Sequence, residues 1–248
     1  MQIYVVQQGD SVDRIAGMFG IPVETIIYDN QIEYPYRLAV GQALFINDGQ
    51  SAGEKTPLYV SGYAYPFISR DVLGETLPWL TAIYIFSYGF TREGELIPPA
   101  DDDGPVIQAA REQGVRPVLV LTPLDEEGRL NNNLVTALVE DFVLQRRVLL
   151  ELGRTMQQKG YEGLDLDFEY IRAEDREGYA QFVELATQVM NRLGYPVSVA
   201  LAPKTTRNQP GLLYEGIDYR LLGAAANRVL LMTYEWGYTY DQTAHRLF

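Results

Sequence analysis

The 248-residue chain contains no cysteine and a single histidine, His245. The first absence removes disulfide scaffolds, cysteine-based zinc sites, iron–sulfur clusters and thiol nucleophiles together. The second argues against a Ser-His-Asp triad, a multi-histidine metal site and a histidine acid/base, so hydrolytic chemistry is left to carboxylates, Tyr and Asn. Basic residues are also scarce. There are 20 Lys plus Arg against 33 Asp plus Glu, a net charge of −13, and the cations are scattered, so nothing can follow a polyanion such as nucleic acid or an anionic membrane surface. No apolar run approaches the roughly 18 residues of a spanning helix. The N-terminus has no basic stretch followed by a long apolar one, so no secretory signal is visible. What is plentiful is apolar: 47% of residues are hydrophobic, enough for one large domain or for a small one plus a medium one.

Residues 47–57 carry no large apolar side chain and are rich in turn formers, which reads as a linker, with units at 1–47 and 58–248 and the linker proper at 48–57. In the first unit Ile3, Tyr4, Val5 and Val6 form a short strand. Gly9, Asp10 and Ser11 then turn the chain into a helix, with Asp10 or Ser11 as N-cap. Val12, Ile15, Ala16 and Phe19 recur at helical spacing, Gly20 stops the helix, Pro22 opens a second, and Leu38 to Ile46 closes with a strand. The order is βααβ.

These residues resemble the LysM module, matched by Tyr4, Val6, Gly9, Asp10, Ser11, Ile15, Ala16, Phe19, Ile26, Asn30, Leu38, Gly41, Gln42, Leu44 and Ile46. The resemblance implies binding of an N-acetylglucosamine polymer, peptidoglycan or chitin, in a shallow groove beside Gly9, Asp10 and Ser11.

From residue 58 onward, β-rich apolar stretches alternate with helical ones. Strands are expected over 58–63, 82–88, 117–122, 163–169, 197–202 and 229–234, and helices near 70–77, 104–113, 132–159, 174–193 and 211–224. Strict alternation argues for an α/β fold with a parallel sheet wrapped by helices, a (β/α)8 TIM-type barrel first and a doubly wound open sheet second. No glycine-rich phosphate loop follows any strand, which weakens the dinucleotide-binding form of the second. In a barrel the chemistry stands at the carboxyl ends of the strands.

There the sequence Gly163, Leu164, Asp165, Leu166, Asp167, Phe168, Glu169 alternates apolar and acidic residues. Period two puts the three acids on one face of a strand and the apolar residues on the other, which in a barrel would pack on the helices. Carboxylates about 6 to 7 Å apart along a strand repel, and burial raises their pKa further. A core built for stability avoids that arrangement, whereas a glycosidase general acid needs it. An edge strand with a wet acidic face is the structural alternative.

The segment resembles the catalytic signature of glycoside hydrolase family 18, Asp-x-x-Asp-x-Asp-x-Glu, with Glu162, Asp165, Asp167 and Glu169 at its four positions and Glu for Asp at the first. Met232, Thr233, Tyr234, Glu235, Trp236, Gly237 and Tyr238 resemble that family's Met-x-Tyr-Asp segment, in a form similar to spore-cortex N-acetylglucosaminidases of endospore-forming bacteria. The resemblance implies metal-free, cofactor-free, retaining hydrolysis in which the substrate's acetamido oxygen is the nucleophile. It implies that Glu169 is the acid/base, that Asp167 orients the acetamido group, that Asp165 shares its proton and that Tyr234 donates a hydrogen bond. It also implies a glycan partner and a location in the spore envelope or cell wall. Tyr63, Tyr65, Tyr88 and Trp236 at strand ends are offered as sugar platforms, with Glu235 beside them. Asp101, Asp102 and Asp103 read as acids at a helix start.

About 190 residues follow the linker where a barrel typically uses about 250. The barrel is expected to stop after six strands, as a fragment or by closing another way such as oligomerisation. That shortfall motivates a rival expectation, a non-catalytic peptidoglycan-binding or spore-coat structural protein.

Overall fold

A computed structural model of the chain describes residues 2–47 and 57–234. The chain divides into two compact units, Met1–Leu58 and Tyr59–Phe248. In the first, β1 (Gln2–Val5) pairs antiparallel with β2 (Ala43–Ile46) across α1 (Val12–Phe19) and α2 (Val23–Asp29). Ser11, not Asp10, caps α1, its hydroxyl accepting from the Arg14 amide, and Gly20 ends the helix at φ 65°. Ile15, Ile26, Leu44 and Ile46 are fully buried between the helices and the ribbon. Asn30 clamps the far side: its side chain accepts from the Phe45 amide and donates to the carbonyls of Ile26 and Phe45.

The second unit is a parallel sheet wound in one direction. Its strands are β3 (Ser61–Ala64), β4 (Ala82–Phe90), β6 (Arg116–Leu121), β7 (Gly163–Leu166), β8 (Val197–Leu201) and β9 (Arg228–Leu231). A two-residue β5 (Leu96–Ile97) pairs antiparallel with the end of β4. Each parallel strand lies beside its neighbour in sequence, in the order β3-β4-β6-β7-β8-β9. A doubly wound sheet reverses its order at a switch point, so the second expectation is excluded and the unit is TIM-barrel-like, a half-barrel of six parallel strands among the described residues. Helices α3 (Arg70–Thr76), α4 (Gly104–Glu112), α5 (Asn132–Glu140), α6 (Phe142–Lys159), α7 (Arg176–Arg192) and α8 (Tyr219–Ala225) connect the strands.

The apolar residues of each strand separate by parity. Ile83, Ile85, Leu119, Leu121, Leu164, Leu166, Val197 and Val199 meet the helices in the main core. Ala82, Tyr84, Val118 and Val120 form a second, inner cluster with Tyr63 and Phe86. The sheet is strongly curled. Strands three places apart lie about 14 Å from each other in a flat sheet, yet the Tyr63 hydroxyl on β3 donates to Asp165 on β7 at 2.8 Å. At the amino end the Arg228 guanidinium of β9 sits 4.3 Å from the ring centroid of Tyr59, just before β3.

Two local expectations are refined. The helix expected over 132–159 is two helices, because Asp141 leaves helical backbone at ψ 101° and caps α6 by accepting from the amides of Val143 and Leu144. Asp103 stands at the start of α4, as expected, but its side chain is turned into the core. Its carboxylate is fully buried and accepts from Lys159 Nζ at 2.5 Å, Tyr161 at 2.6 Å and Tyr88 at 2.7 Å. Beside it Asp102 accepts from the Gly104 amide.

Candidate active site

The acidic ladder lies on β7, flanked by β6 and β8 and therefore away from both sheet edges. Leu164, Leu166 and Phe168 face the helices, and Phe168 stacks on Phe90, Tyr179 and Phe182. The alternation puts Asp165 and Asp167 on the inner side, where both are buried. The strand ends at Leu166, while the Asp167 amide still donates to the carbonyl of Leu121 on β6. Glu169 follows, half-buried at the carboxyl edge. The next residue, Tyr170, takes φ 55°, a left-handed conformation that costs a non-glycine residue roughly 1 kcal/mol and turns the chain away from the strand direction.

Asp165 is held from both sides. Its Oδ1 accepts from the Ser198 hydroxyl at 2.5 Å and its Oδ2 from Tyr63 at 2.8 Å, and the Ser198 oxygen lies 3.5 Å from the Tyr84 hydroxyl. Burial pushes the Asp165 carboxyl up to about 6, against the pull of those two hydrogen bonds. Asp167 rises to about 7, chiefly through burial and then through the charges of Asp165 and Glu169. One Asp167 oxygen, Oδ1, is buried without a hydrogen-bond partner. Both carboxyls thus keep a proton to higher pH than an ordinary aspartate, beside an acid that reaches solvent.

The other residues read from the sequence divide. Tyr63 reaches the ladder, as a brace on Asp165 instead of an open platform, its ring packed at 4.8 Å from Tyr84 and 5.0 Å from Phe86. Tyr88 does not reach it. The β4–β6 register shifts between Ile85 and Tyr88, which reverses the parity of the strand and turns Tyr88 into the helical layer, 2% exposed and bonded to Asp103. Tyr65 is exposed and lies parallel to Phe67 at 5.0 Å, with Phe86 5.2 Å away. Tyr234 stands just past β9, 59% exposed, while Glu235 and Trp236 fall outside the described residues. Glu162, the first position of the motif, lies within 4.0 Å of Arg111 and Arg116 at the opposite end of β7. In the small unit Gly9 takes φ 85° and Ser11 is committed to capping. Asp10 is turned inward, accepting from Tyr4 and the Gln7 amide, so it braces the turn before α1.

Ser198 and Phe67 were not singled out in the sequence. The signal for Ser198 was a hydroxyl within an apolar strand, Val197-Ser198-Val199, next in order to the ladder. Among the described residues no group of three or more His, Asp or Glu is arranged to hold a metal ion, and no helix is long and apolar enough to cross a membrane.

Residues 4–47 match the LysM domain family. Over 290 aligned residues the chain is 32% identical to a cortical fragment-lytic enzyme of Bacillus subtilis, covering 96% of this chain and 67% of that protein. The Bacillus cereus spore cortex-lytic enzyme SleL superposes with a TM-score of 0.69 at 29% identity, over 95% of this chain and 54% of that one. A chitinase from Chromobacterium violaceum shares the fold, with a TM-score of 0.66 at 19% identity over 73% of this chain and 57% of the other. The chain thus spans about two thirds of the first relative and about half of the SleL chain.

Proposed function

Because the chain belongs to the family of the cortical fragment-lytic enzymes, we propose that it hydrolyses β-1,4 bonds next to N-acetylglucosamine in spore-cortex peptidoglycan, with retention of configuration. The observation that carries this reading is the pair of buried carboxyls at 165 and 167, the first held by Ser198 and Tyr63, behind the half-buried Glu169.

In this mechanism, of the family 18 type, Glu169 gives a proton to the leaving glycosidic oxygen while the substrate's own acetamido oxygen closes on the anomeric carbon. Asp167 hydrogen-bonds the acetamido N–H and offsets the positive charge of the oxazolinium ion. Asp165, fixed by Ser198 and Tyr63, exchanges a proton with Asp167 as that charge develops. Glu169 then takes a proton from water, which opens the oxazolinium ring from the same face. Tyr234 supplies a hydrogen bond toward the acetamido oxygen. Tyr65 and Phe67 offer an exposed aromatic shelf for a sugar ring near the barrel mouth. The LysM unit holds the enzyme on the same polymer, which places the protein at the spore envelope or cell wall.

The 59% exposure of Tyr234 favours a second reading in which glycan is bound without turnover. One experiment separates the two. Purified protein is incubated with cortical muropeptides and with matched N-deacetylated oligosaccharides, and fresh products are followed by proton NMR. Release of the β-anomer from acetylated substrate alone supports the mechanism. Equal turnover of deacetylated substrate would instead require an enzyme nucleophile, and retention on peptidoglycan with no released reducing ends would leave only binding.

A further inference from the structure

A concavity of about 820 Å³ lies on the outer face of the half-barrel between α6 and α7. It is remote in character from the acidic site. Its walls expose four large apolar side chains, Phe142 at 58%, Val143 at 56%, Leu150 at 53% and Leu193 at 55%. Gly153 leaves the space that the Leu193 side chain crosses, since a Cβ there would sit 3.2 Å from Leu193 Cδ1.

Around that apolar floor stand Arg146, Arg147, Arg154 and Arg192, and no acidic residue lines it. In a chain of net charge −13 with only 20 basic residues, four of the cations gather on one groove. Arg154 pairs with Glu151 at 2.7 Å and Arg147 reaches a single backbone carbonyl, that of Glu93, at 3.5 Å. Arg146 and Arg192 have no carboxylate at ion-pair distance among the described residues.

We propose that this groove docks an acidic amphipathic helix of a partner protein, its apolar stripe on Leu150 and Leu193 and its flanking carboxylates on Arg146 and Arg192. Phe142, Arg146, Leu150 and Arg154 recur every four residues, so α6 presents alternating apolar and cationic steps along one stripe, over a helix about 27 Å long. The backbones of α6 and α7 are already paired internally, so an extended peptide finds no strand edge there. Affinity has to come from side chains at i, i+3, i+4 and i+7, which a helix supplies. A symmetric contact with a second copy would set the arginines against themselves. A lipid surface is met by a protruding apolar face, whereas this one is recessed.

The test uses the full chain and two labelled peptides of about 18 residues, matched in length to α6, with leucines at i, i+3, i+4 and i+7 and with either Glu or Lys flanking the stripe. Fluorescence anisotropy should show saturable binding of the Glu peptide alone, weakened about tenfold or more by Arg146→Glu with Arg192→Glu and by Leu150→Gln. The charge-reversed double variant should gain the Lys peptide, which a merely damaged fold would not do. Equal binding of both peptides by the unaltered chain, or binding indifferent to these substitutions, would overturn the proposal. So would failure of the Glu peptide to bind while anionic vesicles, or a second copy by sedimentation, occupy the groove in a Leu150-dependent way.

Discussion

Ser198 on β8 donates to Oδ1 of Asp165 on β7, and the two residues are Cα partners in the parallel register. That bond favours the ionised form of Asp165 and so opposes burial, which is the larger effect. Ser198→Ala should therefore raise the Asp165 titration midpoint above about 6, by on the order of one unit. Asp167 should move the other way, because a neutral Asp165 no longer repels its charge. Carbon-detected NMR of the two carboxyls reads both midpoints. An unmoved Asp165 would mean that the hydroxyl is a bystander.

The same two acids make the fold sensitive to base. Both bind their proton more tightly when folded than in the unfolded chain, where an aspartate titrates near 3.8. Between that value and about 7 the native state holds more protons, so stability contributed by this pair falls as pH rises through the window. Asp167→Asn should leave stability nearly unchanged at pH 4 and raise it at pH 8, by an amount on the order of a few kcal/mol. The difference between variant and unaltered chain is the quantity to follow by urea denaturation, because Asp103, Asp125 and Asp218, whose pKa values are lowered, give the opposite slope in both.

Asp103 ties α6 to β4 through Lys159, Tyr161 and Tyr88. Asp103→Ala leaves two buried phenolic hydroxyls and an ammonium without their acceptor, and should cost about 3 kcal/mol or more. Lys159→Met should cost less, because the lysine side chain is 38% exposed and already partly solvated. Chemical denaturation of the two variants checks the order. A milder loss for Asp103→Ala than for Lys159→Met would contradict it.

The ladder was legible because period two is a property of strands alone: Leu164, Leu166 and Phe168 had to face one way and Asp165 and Asp167 the other. The parallel sheet followed from alternation with helices, though not its strand order, and Ser11 and Gly20 marked the limits of α1. What stayed hidden depends on events that periodicity does not encode. The register shift in β4 reverses the facing of Tyr88, and no residue type announced it. The buried partners of Asp103 are hidden because they are separated from it by 15, 56 and 58 positions. Tyr63 was seen as an aromatic surface, yet the curl of the sheet brings its hydroxyl onto Asp165, 102 positions away.

Glu169 is the residue on which the functional account turns, and the most direct test is release of reducing ends from cortical muropeptides by the full chain and by Glu169→Gln. The substitution keeps the side chain's shape and removes only the acid, so the fold and the glycan affinity should persist. Turnover should fall by at least two to three orders of magnitude, about what loss of a general acid removes. Turnover equal to that of the unaltered chain would show that the ladder is not the catalytic centre.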